Sequence, residues 1–470
     1  MKIHPPASAL SILLSSVILA ATVSGEQTKP NFVFILADDQ GWNSLSIRAH
    51  PDIPGSGSQY YRTPNLDELA RDGMRFSQAY APAPTCSPTR YAIQFGRSPS
   101  SLGIWGADNL GKDIDAGPAE ALANRIKAAD PDYVCAHMGK WHVAWEPAEL
   151  GYDVDEYGEG HDPEAPRGKE RNNPDSPDPN DPRFIFSLTR KANTFMEKQV
   201  QEGNPFYLQI LHYANHLAYQ ALPETIEKYK TLYAKDATHY QKDPVWAAMN
   251  ENLDTGVGRV LDKIDELGIR DNTYVIYTAD NGYEDKHDFH KPVNERGYYK
   301  AYPQRSHKYH VSEGGIRVPF IVRGPGIPSN IHSEAPVVGT DLFPTLLDII
   351  GGTRHVPPKV EGGSLLAHLQ SGGQEAIDRR DPFLVFKYTK PNNRHDLAII
   401  EGTTKLIKDA DSGEIFLYDL KKDIGESRNL AQAQPELADR LYQRLTTYFK
   451  RFGWGEDQIP ELAKRRGAGN

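Results

Sequence analysis

Two stretches of the chain, NFVFILADDQGW (31–42) and NTYVIYTADNG (272–282), share one pattern: an unbroken apolar run that stops abruptly at acidic residues. Asp38 and Asp39 close the first run, Asp280 and Asn281 the second. A strand with one wetted face alternates apolar and polar residues, whereas a strand apolar at every position suits a parallel sheet covered by helices on both faces. Helical patterns occur over 65–73, 118–129, 186–200 and 245–268, and further strand runs lie at 133–139, 206–213 and 316–324. This alternation predicts an α/β fold.

A chain of 470 residues, 39% hydrophobic and 25% charged, can bury a large core and has the length of two domains. Near its start, Lys2 and His4 precede ASALSILLSSVILAATVSG (7–25), a run too short and too rich in serine for a membrane span. It ends in small residues, the pattern of a cleaved export signal over residues 1–25. No other stretch approaches the roughly 18 uninterrupted apolar residues of a span, so a soluble protein of the periplasm or the exterior is expected, without a membrane partner. The formal net charge of −10 argues against nucleic acid and membrane surfaces, both of which call for a basic face. An anionic ligand would need a local cationic pocket. Exported compartments oxidise thiols, so Cys86 and Cys135, the two cysteines of the chain, are compatible with one structural disulfide.

The alternation is interrupted by a Pro/Asp/Asn-rich excursion at 162–183 and changes character near residue 375. From there PFLVFKY, DLAIIEG, TKLIKD and EIFLYDL follow one another at hairpin spacing, before a last helical pattern, PELADRLYQRLTTYFKRF. A main α/β domain over 26–375 and a smaller subdomain over 376–470, an antiparallel sheet with one helix, are therefore expected.

Ligands of open α/β sheets collect at the carboxyl edge of the strands, where both acidic pairs fall. Asp38, Asp39, Asp280 and Asn281 offer hard oxygen donors, which suit Ca²⁺ or Mg²⁺ rather than zinc. Either pair alone reads as turn chemistry; their matching positions favour a metal. Between the two strands lies APTCSPTRYAIQFGR (83–97). Pro88 suits a first helical turn, which puts Cys86 at a helix N-terminus, where an anion and a reactive side chain are favoured. Arg90 lies one turn further on, on the same face.

CSPTRYAIQFGR resembles the Cys-x-Pro-x-Arg modification signal of the type I sulfatases, with the trailing Gly-Arg also in place. ILADDQGW, GKWH, YTADNG, EGGIRVPFIVRGPG and LYDLKKDIGESRNLA are similar to further blocks of that family, in the same order. The resemblance implies an alkaline-phosphatase-like fold, a large mixed sheet flanked by helices with a smaller C-terminal subdomain, and hydrolysis of sulfate esters. It implies that Cys86 is oxidised to Cα-formylglycine by a formylglycine-generating or anaerobic sulfatase-maturating enzyme, which leaves Cys135 unpaired. In the family mechanism one hydroxyl of the aldehyde hydrate attacks sulfur and the second, on losing its proton, expels sulfate. One Ca²⁺ is held by Asp38, Asp39, Asp280, Asn281 and the formylglycine at position 86. By the same resemblance Arg90 stabilises the hydrate, Lys140 binds sulfate and His142 orients or deprotonates the diol. Lys308, five residues before Glu313, is the second sulfate-binding lysine and steadies the leaving oxygen. The histidine that acts as general acid is assigned to His216 in HYANHLAYQALP, although the family shows His followed closely by Pro; His212 is read as a packed core residue.

Two rival readings accompany this one. A phosphomonoester or phosphonate hydrolase can use the same fold, and a carbohydrate-binding paralogue can keep the fold and lose turnover. As to substrate, YEDKHDFHKPVNERGYYKAYPQRSH (283–307) combines Tyr283, Tyr298, Tyr299 and Tyr302 with His287, His290, Arg296 and Arg305. Flat aromatic faces beside hydrogen-bond donors suit a sulfated sugar or polysaccharide fragment. YTKPNNRHD (388–396) is expected to close the other side of the cleft. Arg296, Arg305 and Arg394 are the candidate substrate-binding residues.

Overall fold

The computed structural model describes Met1 and residues 29–104, 111–161, 174–236, 243–285, 301–389, 395–410 and 412–454. In chain order its strands are β1 (Asn31–Ala37), β2 (Met74–Phe76), β3 (Ala79–Tyr80), β4 (Val134–Gly139), β5 (Val154–Glu156), β6 (Phe206–Leu211) and β7 (Thr273–Ala279). They continue with β8 (Phe320–Arg323), β9 (Ile331–Ser333), β10 (Val337–Val338), β11 (Leu384–Thr389), β12 (His395–Glu401), β13 (Thr404–Lys408) and β14 (Ile415–Asp419). Eight of them form the main sheet in the order β5-β4-β6-β1-β7-β8-β2-β9. The first five run parallel, β8 is antiparallel to both its neighbours, and β9 returns parallel to β2.

Every residue of β1 and β7 is buried, because each face of the sheet has its own core. Val33, Ile35 and Ala37 join Met138, Ile210, Val275 and Tyr277 beneath the helices Ile185–Glu202 and Pro244–Glu266. Phe32, Phe34 and Leu36 turn the other way and pack with Cys135, Tyr207 and Ile276 beneath the helices Cys86–Phe95, Leu122–Ala129 and Leu342–Ile349. Side chains of period two thus feed two apolar layers, which is why the runs show no polar alternation.

Two sequence expectations shift. Of the run 316–324 only Phe320–Arg323 is strand; Glu313–Ile316 forms one helical turn. There the amides of Gly314 and Gly315 bond to the carbonyls of Arg305 and Ser312 rather than to a sheet neighbour. The helix Pro223–Asp236 lies outside the helical patterns read from sequence; Ile226, Tyr229, Leu232 and Tyr233 form its apolar face against the core.

Strands β11 to β14 form an antiparallel meander. One face packs Phe386, Ala398, Ile400 and Phe416 against Tyr80, Val311, Ile316 and Val338 of the main body. The other packs Leu397, Ile399, Leu406 and Leu417 against Leu441, Leu445 and Phe449 of the helix Pro435–Lys450. Lys405, fully buried, pins this seam between Glu313 and Glu426 at 2.8 and 2.9 Å. Among the described residues no helix is long and apolar enough to cross a membrane.

Candidate active site

Register makes the site. Leu211 pairs with both Leu36 and Gly139, and Ala37 pairs with Ala279, so β4, β6, β1 and β7 end flush. The residues that follow, Lys140, His212 to His216, Asp38 with Asp39, and Asp280 with Asn281, therefore emerge side by side at one edge. Gly139 has a φ of +97°, open to glycine, and its missing Cβ makes room for the carbonyl of Leu211. Gly282 does the same for the carbonyl of Gly314, letting the loop that carries Lys308 approach the end of β7.

Cys86 opens the helix Cys86–Phe95 with Thr85 as its extended N-cap residue. Its Sγ lies 3.3 Å from Oδ1 of Asp38 and 4.0 Å from Oδ1 of Asp39. One turn on, Arg90 donates through Nε and Nη2 to Oδ2 of Asp280 at 3.2 and 2.8 Å, and through Nη1 to the carbonyl of Lys140 at 2.5 Å. Lys140 pairs with Oδ2 of Asp38, and Lys308 with Oδ1 of Asp39 at 2.8 Å. The amide of Lys308 bonds to Tyr283 and that of Tyr309 to Pro84, tying its loop to both the β7 end and the segment before Cys86. Cys86 and Cys135 are both free and buried.

His216 closes the group, with Nε2 3.7 Å from Oδ2 of Asp39. Ligand atoms of Asp38, Asp39, Cys86 and His216 lie within 4.8 Å of one another. His142 is near enough for Lys140, Arg90, Asp38 and Lys308 to act on it, yet its φ of +58° ends the extended chain. Its position is thus set by this turn after β4 and not by strand alternation. His212 is buried in the structure, its amide bonded to the carbonyl of Leu36.

Three carboxylates, Asp38, Asp39 and Asp280, face three permanent cations, Arg90, Lys140 and Lys308, all nearly sealed from water. Burial alone would raise Asp38, but Lys140, His216, Arg90 and Lys308 hold it well below the ordinary carboxylate value. Asp39 and Asp280 go the other way, Asp280 up to about 6, through burial and the neighbouring charge of Asp38. Asn281 donates to Oδ1 of Asp39 at 2.6 Å while its own Oδ1 is buried without a hydrogen-bond partner. Hard carboxylate oxygens at one sheet edge and an orphaned amide oxygen fit a divalent cation such as Ca²⁺. Burial, Asp280 and Asp38 push the Cys86 thiol well above its ordinary value.

Other expectations fare differently. Arg305 is described and largely buried; Arg296 and Arg394, with Tyr298, Tyr299, His287 and His290, lie outside the described residues. Tyr283, read as a sugar-facing ring, is instead a core residue, 5.0 Å from the ring of Trp246. Two residues went unread. Asn250 accepts from Gln40 at 2.7 Å and Asn215 at 2.8 Å, clamping the loop after Asp39 to the loop before His216. Glu284, three residues after Asn281, stands 3.8 Å from His216 and 4.0 Å from Lys308; its only sequence signal is an acid directly downstream of DNG.

A mixed α/β sheet whose carboxyl edge gathers buried carboxylates, a helix-borne cysteine and three cations defines a hydrolase of anionic esters with an alkaline-phosphatase-like fold. The chain belongs to the sulfatase family, whose model matches residues 30–352, and it is a sulfuric ester hydrolase. A second family model, N-sulphoglucosamine sulphohydrolase, C-terminal, matches residues 302–451. A sulfatase of Formosa agariphila is 26% identical over 90% of this chain and 89% of its own length. An ulvan-active sulfatase of the same organism is 26% identical over 75% of this chain and 67% of its own. Among solved structures, Ps i-CgsB in complex with k-i-k-neocarrahexaose superposes with a TM-score of 0.72 at 21% identity, covering 90% of this chain and 93% of that one. The phosphonate monoester hydrolase of Agrobacterium radiobacter follows the same fold with a TM-score of 0.65 at 19% identity, over 91% and 97%. The family is generally dependent on a metal and on formylglycine.

Proposed function

We propose that this chain is an exported, Ca²⁺-dependent sulfatase that hydrolyses a sulfate ester of a sugar or polysaccharide fragment through a formylglycine made from Cys86. The observation that carries the reading is the setting of Cys86, 3.3 Å from Asp38 and among Arg90, Lys140 and Lys308. Its thiol is held protonated, so the unmodified residue offers no thiolate at neutral pH. A formylglycine hydrate at this position supplies an oxygen nucleophile instead. Asp38, Asp39, Asp280 and Asn281 would hold Ca²⁺, which supplies Lewis-acid stabilisation of the sulfate charge.

The chain's own residues do the rest. Lys140 and Lys308, each resting on a carboxylate, are placed to bind sulfate oxygens. Arg90 keeps Asp280 ionised and steadies the group at position 86. Burial with Lys140 and Arg90 keeps His142 neutral, as a proton acceptor must be. Burial first, then Lys140 and Lys308, depresses His216 to about 3; an anionic ester offsets the two lysine charges and so favours the proton that the leaving oxygen needs. A sugar as leaving group is supported by the ulvan-active relative. Residues 1–25 act as the export signal, to periplasm or exterior, 26–375 as the catalytic domain and 376–470 as the C-terminal subdomain; a maturation enzyme must read Cys86 before folding.

The test compares kcat/KM for p-nitrophenyl sulfate and p-nitrophenyl phosphate, with a mass spectrum of the Cys86 peptide from the same preparation. Preference for the sulfate ester is expected. Preference for phosphate assigns the site to the phosphomonoester or phosphonate class, and no turnover despite formylglycine supports the carbohydrate-binding paralogue.

A further inference from the structure

The charged side chains that pair across the site differ in access to water. Those of Asp38, Asp39, Arg90, Lys140 and Lys308 are at most 3% exposed, whereas His216 reaches 19% and Glu284 15%. A sulfate held on the sealed floor by Lys140 and Lys308 must direct its alcohol outward, past His216 and Glu284. Glu284 is therefore on the leaving-group side. Its Oε2 is 3.8 Å from Nε2 of His216 and 4.0 Å from Nζ of Lys308, beyond hydrogen-bond reach of either. That oxygen is buried and has no hydrogen-bond partner of its own, although the same carboxyl group also meets the Asp39 side chain in a hydrogen bond. A carboxylate oxygen left so is an acceptor shaped for a donor brought by the substrate.

We propose that Glu284 selects the leaving group: its carboxylate accepts a hydrogen bond from a hydroxyl of the sugar that carries the ester, and repels a second sulfate or a carboxylate at that position. The inference rests on the sugar-sulfatase reading above and adds a residue and a charge rule to it. A hydroxyl is a neutral donor that a carboxylate binds; a second anion is brought within a few ångströms of a like charge in a partly desolvated mouth. The favoured substrate is thus a sugar with a free hydroxyl beside its sulfate, not one sulfated at both positions.

The experiment uses the full chain, matured to formylglycine, with wild type, Glu284→Gln and Glu284→Ala. kcat/KM is measured for p-nitrophenyl sulfate and for mono- and disulfated galactose and N-acetylglucosamine. Glu284→Ala should lose about ten- to hundredfold more on the best monosulfate than on p-nitrophenyl sulfate, the range of a hydrogen bond to a charged group. Glu284→Gln, which keeps one acceptor oxygen but loses the charge and puts an amide donor in place of the other oxygen, should raise the disulfate-to-monosulfate ratio by about tenfold or more. Ratios cancel any general loss from a disturbed His216 or Lys308, and the isosteric Gln variant carries the test if the Ala variant fails to fold. Equal losses on every substrate overturn the proposal. So does a wild type that hydrolyses p-nitrophenyl sulfate but no sugar sulfate, which leaves the sulfatase activity standing; a wild type inert toward all sulfate esters overturns the proposed function itself.

Discussion

Arg90 and Asp280, 190 residues apart in sequence, meet through two hydrogen bonds from one guanidinium to a single carboxylate oxygen. With a third bond to the Lys140 carbonyl, Arg90 joins the Cys86 helix to the ends of β7 and β4. Arg90→Ala strands Asp280 as a buried unpaired charge and should cost about 3–5 kcal/mol of stability as well as turnover. Arg90→Lys keeps the charge but not the fork, so turnover should still fall. Denaturant midpoints and kcat measure both; a fully active Arg90→Lys enzyme would refute the clamp.

The peptide carrying Cys86 should weigh about 18 Da less than its sequence mass, the difference between a thiol and the aldehyde that serves in its place. Cys86→Ala should be inactive yet folded, because losing one small side-chain atom costs on the order of 1 kcal/mol. Fully active protein in which position 86 is entirely unmodified cysteine rules the mechanism out.

Exhaustive chelation should abolish turnover and added Ca²⁺ restore it, with a lower melting temperature in the metal-free protein. Asn281→Leu removes the orphaned oxygen and should weaken Ca²⁺ binding by about tenfold or more, read by calorimetry on the purified protein. Undiminished activity in protein shown by metal analysis to be empty would count decisively against a metal.

Acid should destabilise the fold through histidines buried neutral. Burial depresses His212 to about 4 and, as the largest cause, His137 to about 3, while an unfolded chain takes up protons at these rings from about pH 6.5 downward. Their contribution is complete above pH 6.5 and declines as pH falls toward the folded values, by on the order of 3 kcal/mol for His212. Denaturant midpoints measured across that interval should drop, and His212→Asn should flatten the slope. A wild-type midpoint that stays level down to pH 4 contradicts this.

His216→Ala should slow hydrolysis of a sugar sulfate, whose alcohol leaves poorly without a proton, far more than that of p-nitrophenyl sulfate. His212→Asn should leave the ratio of the two rates near that of wild type. If the histidines exchange these behaviours at unchanged stability, the general acid is His212.

Local pattern and spatial meeting divide this protein between sequence and tertiary structure. β1, β7, the hairpin-spaced strands of the small sheet and the Cys86 helix were legible because strand period, proline placement and acidic breaks depend on near neighbours in the chain. Asp38, Asp39, Asp280 and Asn281 were found the same way, each pair marking the end of its own strand. Other parts had no local signature. Tyr283 looked like a loop aromatic until the path of helix Pro244–Glu266 put Trp246 against it. Asn250, mid-helix, gave no hint of clamping Gln40 to Asn215, nor Lys405 of binding Glu313 and Glu426 across the seam. Lys308 reaches Asp39 across 269 residues, and Glu284 stands at the mouth only because β7 ends flush with β1. Sequence by itself determined the strands and helices with a strong local period and where oxygen ligands end two of them, though not the helix Pro223–Asp236 or the turn Glu313–Ile316. Strand order, register and the packing of two cores decided which of those ends became neighbours, since contacts across hundreds of residues follow from the shape of the whole and leave no periodic trace in the chain.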